Sequence, residues 1–171
     1  MESYSYGAVT LLLRTVILPT PHWHPFSRFT FHVSRSMCLG VFLAADRELP
    51  LVAWDEAQPS FNVTPLQDEE RPVRGRFSKR NVYYLGAYTG CSCGFTPDED
   101  GEEADAARSL EGLVAYLREA VGDGSLELFT CWDGDWLEPA ARQLVMTPED
   151  FADPETWFDE LTFASIRATH D

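Results

Sequence analysis

Apolar residues come in short runs along this chain, and their spacing predicts the elements. The run "MCLGVFLAA" (37–45) is almost unbroken, the pattern of a buried strand, and "DRELP" ends it. "LVAW" (51–54) reads as a short second strand. "FNVTPL" (61–66) reads as an edge strand, because Pro65 has no N–H to give to a ladder. "NVYYLGAY" (81–88) joins β-branched and aromatic residues to a glycine stop, a further strand. The period then changes. Leu110, Leu113, Val114, Leu117, Ala120 and Val121 recur at three and four residues, which lays one apolar stripe along a helix of about 103–121. Gly122 and Gly124 end that helix, since glycine accepts the left-handed conformation found at helix C-termini. "SLELFTCW" (125–132), "RQLVM" and "LTFASIRA" (161–168) return to strand patterns. Between the last two, Thr147 with Pro148 and Asp150 forms a helix start, and "DPETWF" repeats that logic, predicting two short helices near 148–159.

Strand 81–88, helix 103–121 and strand 125–132 form a candidate βαβ unit, while loops join most other strands. The expected class is therefore α+β: one mixed β-sheet with one main amphipathic helix packed on it.

Charge divides the chain. The whole sequence of 171 residues carries −15. Residues 1–36 hold Arg14, Arg28 and Arg35 against Glu2 alone, together with His22, His24 and His32. Residues 37–171 hold 10 basic and 27 acidic residues, and His170 is their single histidine. The break before Met37 predicts a leader, 1–36, and an acidic α+β domain, 37–171. The leader reads first as an upstream extension of the reading frame. A structural arm and an acid-poor targeting segment are the alternatives. It fails as a secretory signal, because no positive region precedes "GAVTLLLRTVIL" and Arg14 interrupts it. That run is also too short to span a membrane. Four cysteines are too few for a disulfide scaffold, so a cytoplasmic location is expected. The acidic surface speaks against nucleic acid and against anionic membranes, and leaves a protein partner or a small ligand.

Candidate chemistry centres on "AYTGCSCGFTPDEDGEE" (87–103) and "CWDGDWLEP" (131–139). Cys91 and Cys93 follow strand 81–88, and Cys131 lies near the end of strand 125–132. If strand 37–45 runs antiparallel to both, Cys38 starts at the same sheet edge. Four thiols would then converge, and four cysteines can hold structural zinc. The spacing lacks the usual pair of Cys-x₂₋₄-Cys knuckles, and buried cysteine also serves as a small hydrophobe, so unliganded thiols are the competing reading. A Cys91–Cys93 disulfide would close a small strained ring and be labile. Trp132, Asp133, Asp135 and Trp136 make an acidic, aromatic lip beside the same edge, although Asp and Gly are also what tight turns prefer. "DEDGEE" fails as a calcium loop. Aligning Gly101 with the loop glycine places Thr96 first and Ala107 last, where a bidentate Glu is required. Its acids suit the start of the helix. "RPVRGRFSKR" (71–80) gathers five basic residues, which neutralise acids or meet an anion.

From Met37 to Thr169 there is no histidine, which removes Ser-His-Asp and Cys-His chemistry from the acidic domain unless His170 or the leader reaches the site. The histidines of "HWH" and His32 are a separate metal candidate in the leader. Three functions are expected in order: a small acidic binding or interaction domain without such machinery; a cysteine-cluster protein with zinc as cofactor, using Cys38, Cys91, Cys93 and Cys131; and a thiol- or carboxylate-dependent enzyme at the 91–93/131–135 edge.

Overall fold

The structure is a computed structural model that describes residues 38–97 and 103–169. The leader, residues 98–102 of the acidic turn, and His170 lie outside the described residues.

Six strands form one sheet: β1 (Leu39–Ala45), β2 (Asn62–Pro65), β3 (Asn81–Gly86), β4 (Ser125–Trp132), β5 (Arg142–Met146) and β6 (Thr162–Arg167), with a single α-helix, α1 (Glu103–Val121). Their order across the sheet is β2-β3-β1-β4-β6-β5. Every pairing is antiparallel except β5 with β6, so the sheet is mixed and the class is α+β. β3 and β4 run parallel, as the helical crossover between them requires, and β1 lies between them in the opposite sense.

β1 has neighbours on both edges and a cluster on both faces, which explains its unbroken apolar sequence. Val41, Leu43 and Ala45 point to the helix side, where they meet Leu113 and Leu117 of α1, Leu85, Leu128, Phe95 and Trp157. Phe42 and Ala44 point to the other side, where Val73, Val82, Phe129 and Cys131 form a smaller cluster covered by Phe77 and Trp136. The apolar stripe of α1 is the buried one: Leu110, Leu113, Val114, Leu117, Ala120 and Val121 are all inaccessible to water or nearly so.

Three elements depart from the sequence pattern. "LVAW" provides only an isolated bridge, Val52 with Val63. The two short helices after Thr147 are 3-10 turns, Pro148–Ala152 and Pro154–Thr156. Their prolines and closely spaced caps leave no room for an α-helical turn to propagate. Asp150 answers Thr147 as expected, accepting its backbone N–H at 2.7 Å. The basic stretch 71–80 is a 3-10 turn over Arg71–Arg76 followed by a loop, and it neutralises acids locally, with Arg71 on Asp68 at 2.7 Å and Lys79 on Asp46 at 2.6 Å. β2 is an edge strand that ends on Pro65. Among the described residues no helix is long and apolar enough to cross a membrane.

Candidate thiol site

One end of the sheet collects the start of β1 and the ends of β3 and β4. β3 stops at Gly86, where the chain turns back through Gly90, whose φ of 79° suits glycine. The Ala87 N–H donates to Cys91 O at 3.0 Å and closes that turn. A 3-10 turn, Ser92–Phe95, then leads toward α1. A Cβ on Gly86 would stand 2.6 Å from the Asn62 side chain and 2.7 Å from Gly90 O, so this tight return excludes a side chain.

Ser92, wholly buried, locks the Cys-Ser-Cys turn to the sheet. Its hydroxyl donates to Leu85 O at 2.6 Å and accepts from the Val41 N–H at 3.0 Å. Val41 and Leu85 are partners at the last register position of β1 and β3, so one serine hydroxyl satisfies both strands where their ladder ends. The Ser92 N–H donates to Tyr84 Oη at 2.9 Å. Burial pushes the Tyr84 phenol up to about 12, which keeps it neutral.

With Ser92 held over the start of β1, the flanking cysteines reach Cys38. The sulfurs of Cys38, Cys91 and Cys93 all lie within 4.8 Å of one another, and each residue is partly exposed. The Cys93 thiol beside it holds Cys91 down to about 5, helped by the Thr89 hydroxyl at 3.4 Å and by Cys38, with burial opposing. Cys93 is pushed up by the same contact and by burial.

Cys131, the fourth expected thiol, stands outside this group. It faces Gly40 across the β1–β4 ladder, is wholly buried against Phe42 and Phe129, and burial pushes it up to about 12. It nevertheless shares a wall with two of the others. A cavity of about 260 Å³ is lined by Cys38, Cys91 and Cys131, by Phe42, Tyr84 and Trp136, and by Glu69, Glu70 and Asp133. Burial, with Glu69 and Asp133 adding to it, raises the Glu70 carboxyl. Cys93 instead opens onto a groove of about 410 Å³ on the other side, beside Leu39, Trp132 and Phe158.

The acidic, aromatic lip is therefore divided. Asp133 and Trp136 line the cavity with Cys38 and Cys91, whereas Trp132 lines the groove with Cys93. Asp135 donates its N–H to Trp132 O at 3.0 Å within the turn, and Gly134 has a φ of 91°. Sequence reasoning missed Ser92, Tyr84, Glu69 and Glu70. Ser92 carried a signal only in lying between the two cysteines.

The three sulfurs are a soft donor set in a compact arrangement. Two sulfurs bound tetrahedrally to one zinc at about 2.3 Å lie roughly 3.8 Å apart, a separation that fits within the 4.8 Å spanned by this trio. The cluster can therefore hold a metal ion. No family model matches this chain, and neither curated proteins nor solved structures yield a match to it.

Proposed function

We propose that this protein is a binding domain whose ligand is a thiophilic cation, zinc first, held by Cys38, Cys91 and Cys93. The observation that carries the reading is the convergence of three sulfurs within 4.8 Å from two points of the chain more than fifty residues apart. Thiolate is the form that ligates metal, and the Cys93 thiol and the Thr89 hydroxyl beside Cys91 favour that form there. Three protein ligands leave a fourth position open. The adjoining cavity, with Glu69, Glu70 and Asp133 in its wall, offers cations an acidic approach to it. The same surface charge of the chain keeps nucleic acid and anionic membranes outside this reading.

The test is metal analysis of the full chain purified without a histidine tag, with cobalt substitution to reveal sulfur-to-metal charge-transfer absorption. One equivalent of zinc with three protected thiols is expected. Cys38→Ala, Cys91→Ala and Cys93→Ala should each lose it, while Cys131→Ala should keep it. Replacing His22, His24 and His32 should also leave it intact. A folded wild-type protein that takes up no thiophilic metal, or loses its metal only in the histidine variant, overturns the reading.

A further inference from the structure

The two recesses do not offer the three thiols equally. Cys38 and Cys91 share the 260 Å³ cavity, whereas Cys93 faces the groove on the other side. An oxidant that enters the cavity meets both sulfurs, and Cys91 differs in having the Thr89 hydroxyl 3.4 Å from its sulfur. Cys91 and Cys93 are separated by one residue, and Ser92 is clamped there between β1 and β3, so joining these two requires the turn itself to distort.

We infer that Cys38 and Cys91 form a peroxide-responsive dithiol, Cys91 being oxidised first and Cys38 resolving it into a disulfide that ties the start of β1 to the turn after β3. In the metal-free protein the Cys91 sulfur attacks one peroxide oxygen and the O–O bond breaks. The departing oxygen takes a proton and leaves as water or alcohol, and Cys91 becomes a sulfenic acid. The Cys38 sulfur then attacks the Cys91 sulfur. An S–S bond forms, the S–O bond breaks, and hydroxide leaves with the Cys38 proton as water. Two thiols are oxidised by two electrons and one peroxide is reduced. In the metal-loaded protein two solvent protons take the place of the thiol protons, and the ion departs because two of its three ligands are gone. This last consequence rests on the metal-binding reading; the bridge does not.

The experiment treats the metal-free full chain with hydrogen peroxide, alkylates the remaining thiols, and locates the bridge by mass spectrometry. The expected product joins Cys38 to Cys91, with Cys93 and Cys131 alkylated. Cys93→Ala and Cys131→Ala should oxidise to the same bridge. Cys38→Ala should lose it and accumulate a sulfenic acid on Cys91 that dimedone traps. A bridge containing Cys93 or Cys131 in the wild type, or no oxidation of Cys91, overturns the inference. Circular dichroism of each variant confirms that it is folded before it is oxidised. A parallel run on zinc-loaded protein, read with a chromogenic zinc chelator, should release metal in step with bridge formation. Zinc that stays bound to a bridged protein overturns the metal-release step. A protein that never binds zinc yet forms the bridge defeats the proposed function alone, and one that binds zinc without forming it defeats only this inference.

Discussion

Ser92 holds the cluster together without contributing a sulfur to it. Removing its hydroxyl leaves the Val41 N–H and the Leu85 carbonyl without their partner at a buried strand end. An unsatisfied buried group costs roughly 1–3 kcal/mol, so Ser92→Ala should destabilise the fold by about 2 kcal/mol, measured by denaturant unfolding. It should also weaken zinc binding, read by competition with a chelator, because Cys91 and Cys93 lose the anchor between them. Cysteine at this position would not substitute, since a thiol donates weakly. At the same scale, Cys131 shows how a residue can be near a site and outside it. It lies on the ladder directly opposite Gly40, two residues from Cys38, and is committed to packing against Phe42 and Phe129.

The turn between β3 and the 3-10 segment at Ser92–Phe95 is the element that brings the thiols to the sheet. It works because Gly86 lets the returning chain pass close to its own strand. A methyl group there would meet the Gly90 carbonyl at 2.7 Å and the buried Asn62 side chain at 2.6 Å, and neither has room to yield. Gly86→Ala should therefore cost about 1–3 kcal/mol in thermal or denaturant unfolding and lower zinc affinity with it, as overpacking does in other tight sites. The neighbouring elements were readable to different degrees. α1 was legible to the residue, because a three-and-four spacing of six apolar positions has few other solutions. β1 and β4 were legible as buried runs. The segment 51–54 was not, since a short apolar run cannot say whether a neighbouring strand stays beside it, and here only Val52 pairs. The 148–159 region showed its caps but not its helix type, which depends on how closely two proline-led starts follow one another.

At the scale of the whole molecule, the proposed ligands come from the first described residue and from the turn after β3, so a bound ion would join the beginning of the central strand to the middle of the chain. Binding confined to the folded state stabilises it by mass action. Zinc at about one hundred times its dissociation constant should add roughly 2.7 kcal/mol, and a chelator should reverse the gain. A thermal melt that rises with zinc concentration and falls back on chelation is the expected result; in Cys91→Ala it should not move. The antiparallel placement of β1 between β3 and β4 is what makes this closure available, because it sets a strand start against two strand ends.

The amino-acid sequence alone determined the α+β class, the main helix, most of the strands and the turn that carries Cys91 and Cys93. Each of these is written in local spacing, in glycine and proline positions and in runs of apolar residues. It also pointed to Cys38 and Cys131 as residues that an antiparallel β1 would bring to the same edge. Only the tertiary structure decided how those four sulfurs divide. Which thiols meet depends on the β1 register and on a serine hydroxyl spanning two strand ends, and which cavity each faces depends on the two sides of the sheet. Those are relations between segments far apart in the chain, and no local pattern records them.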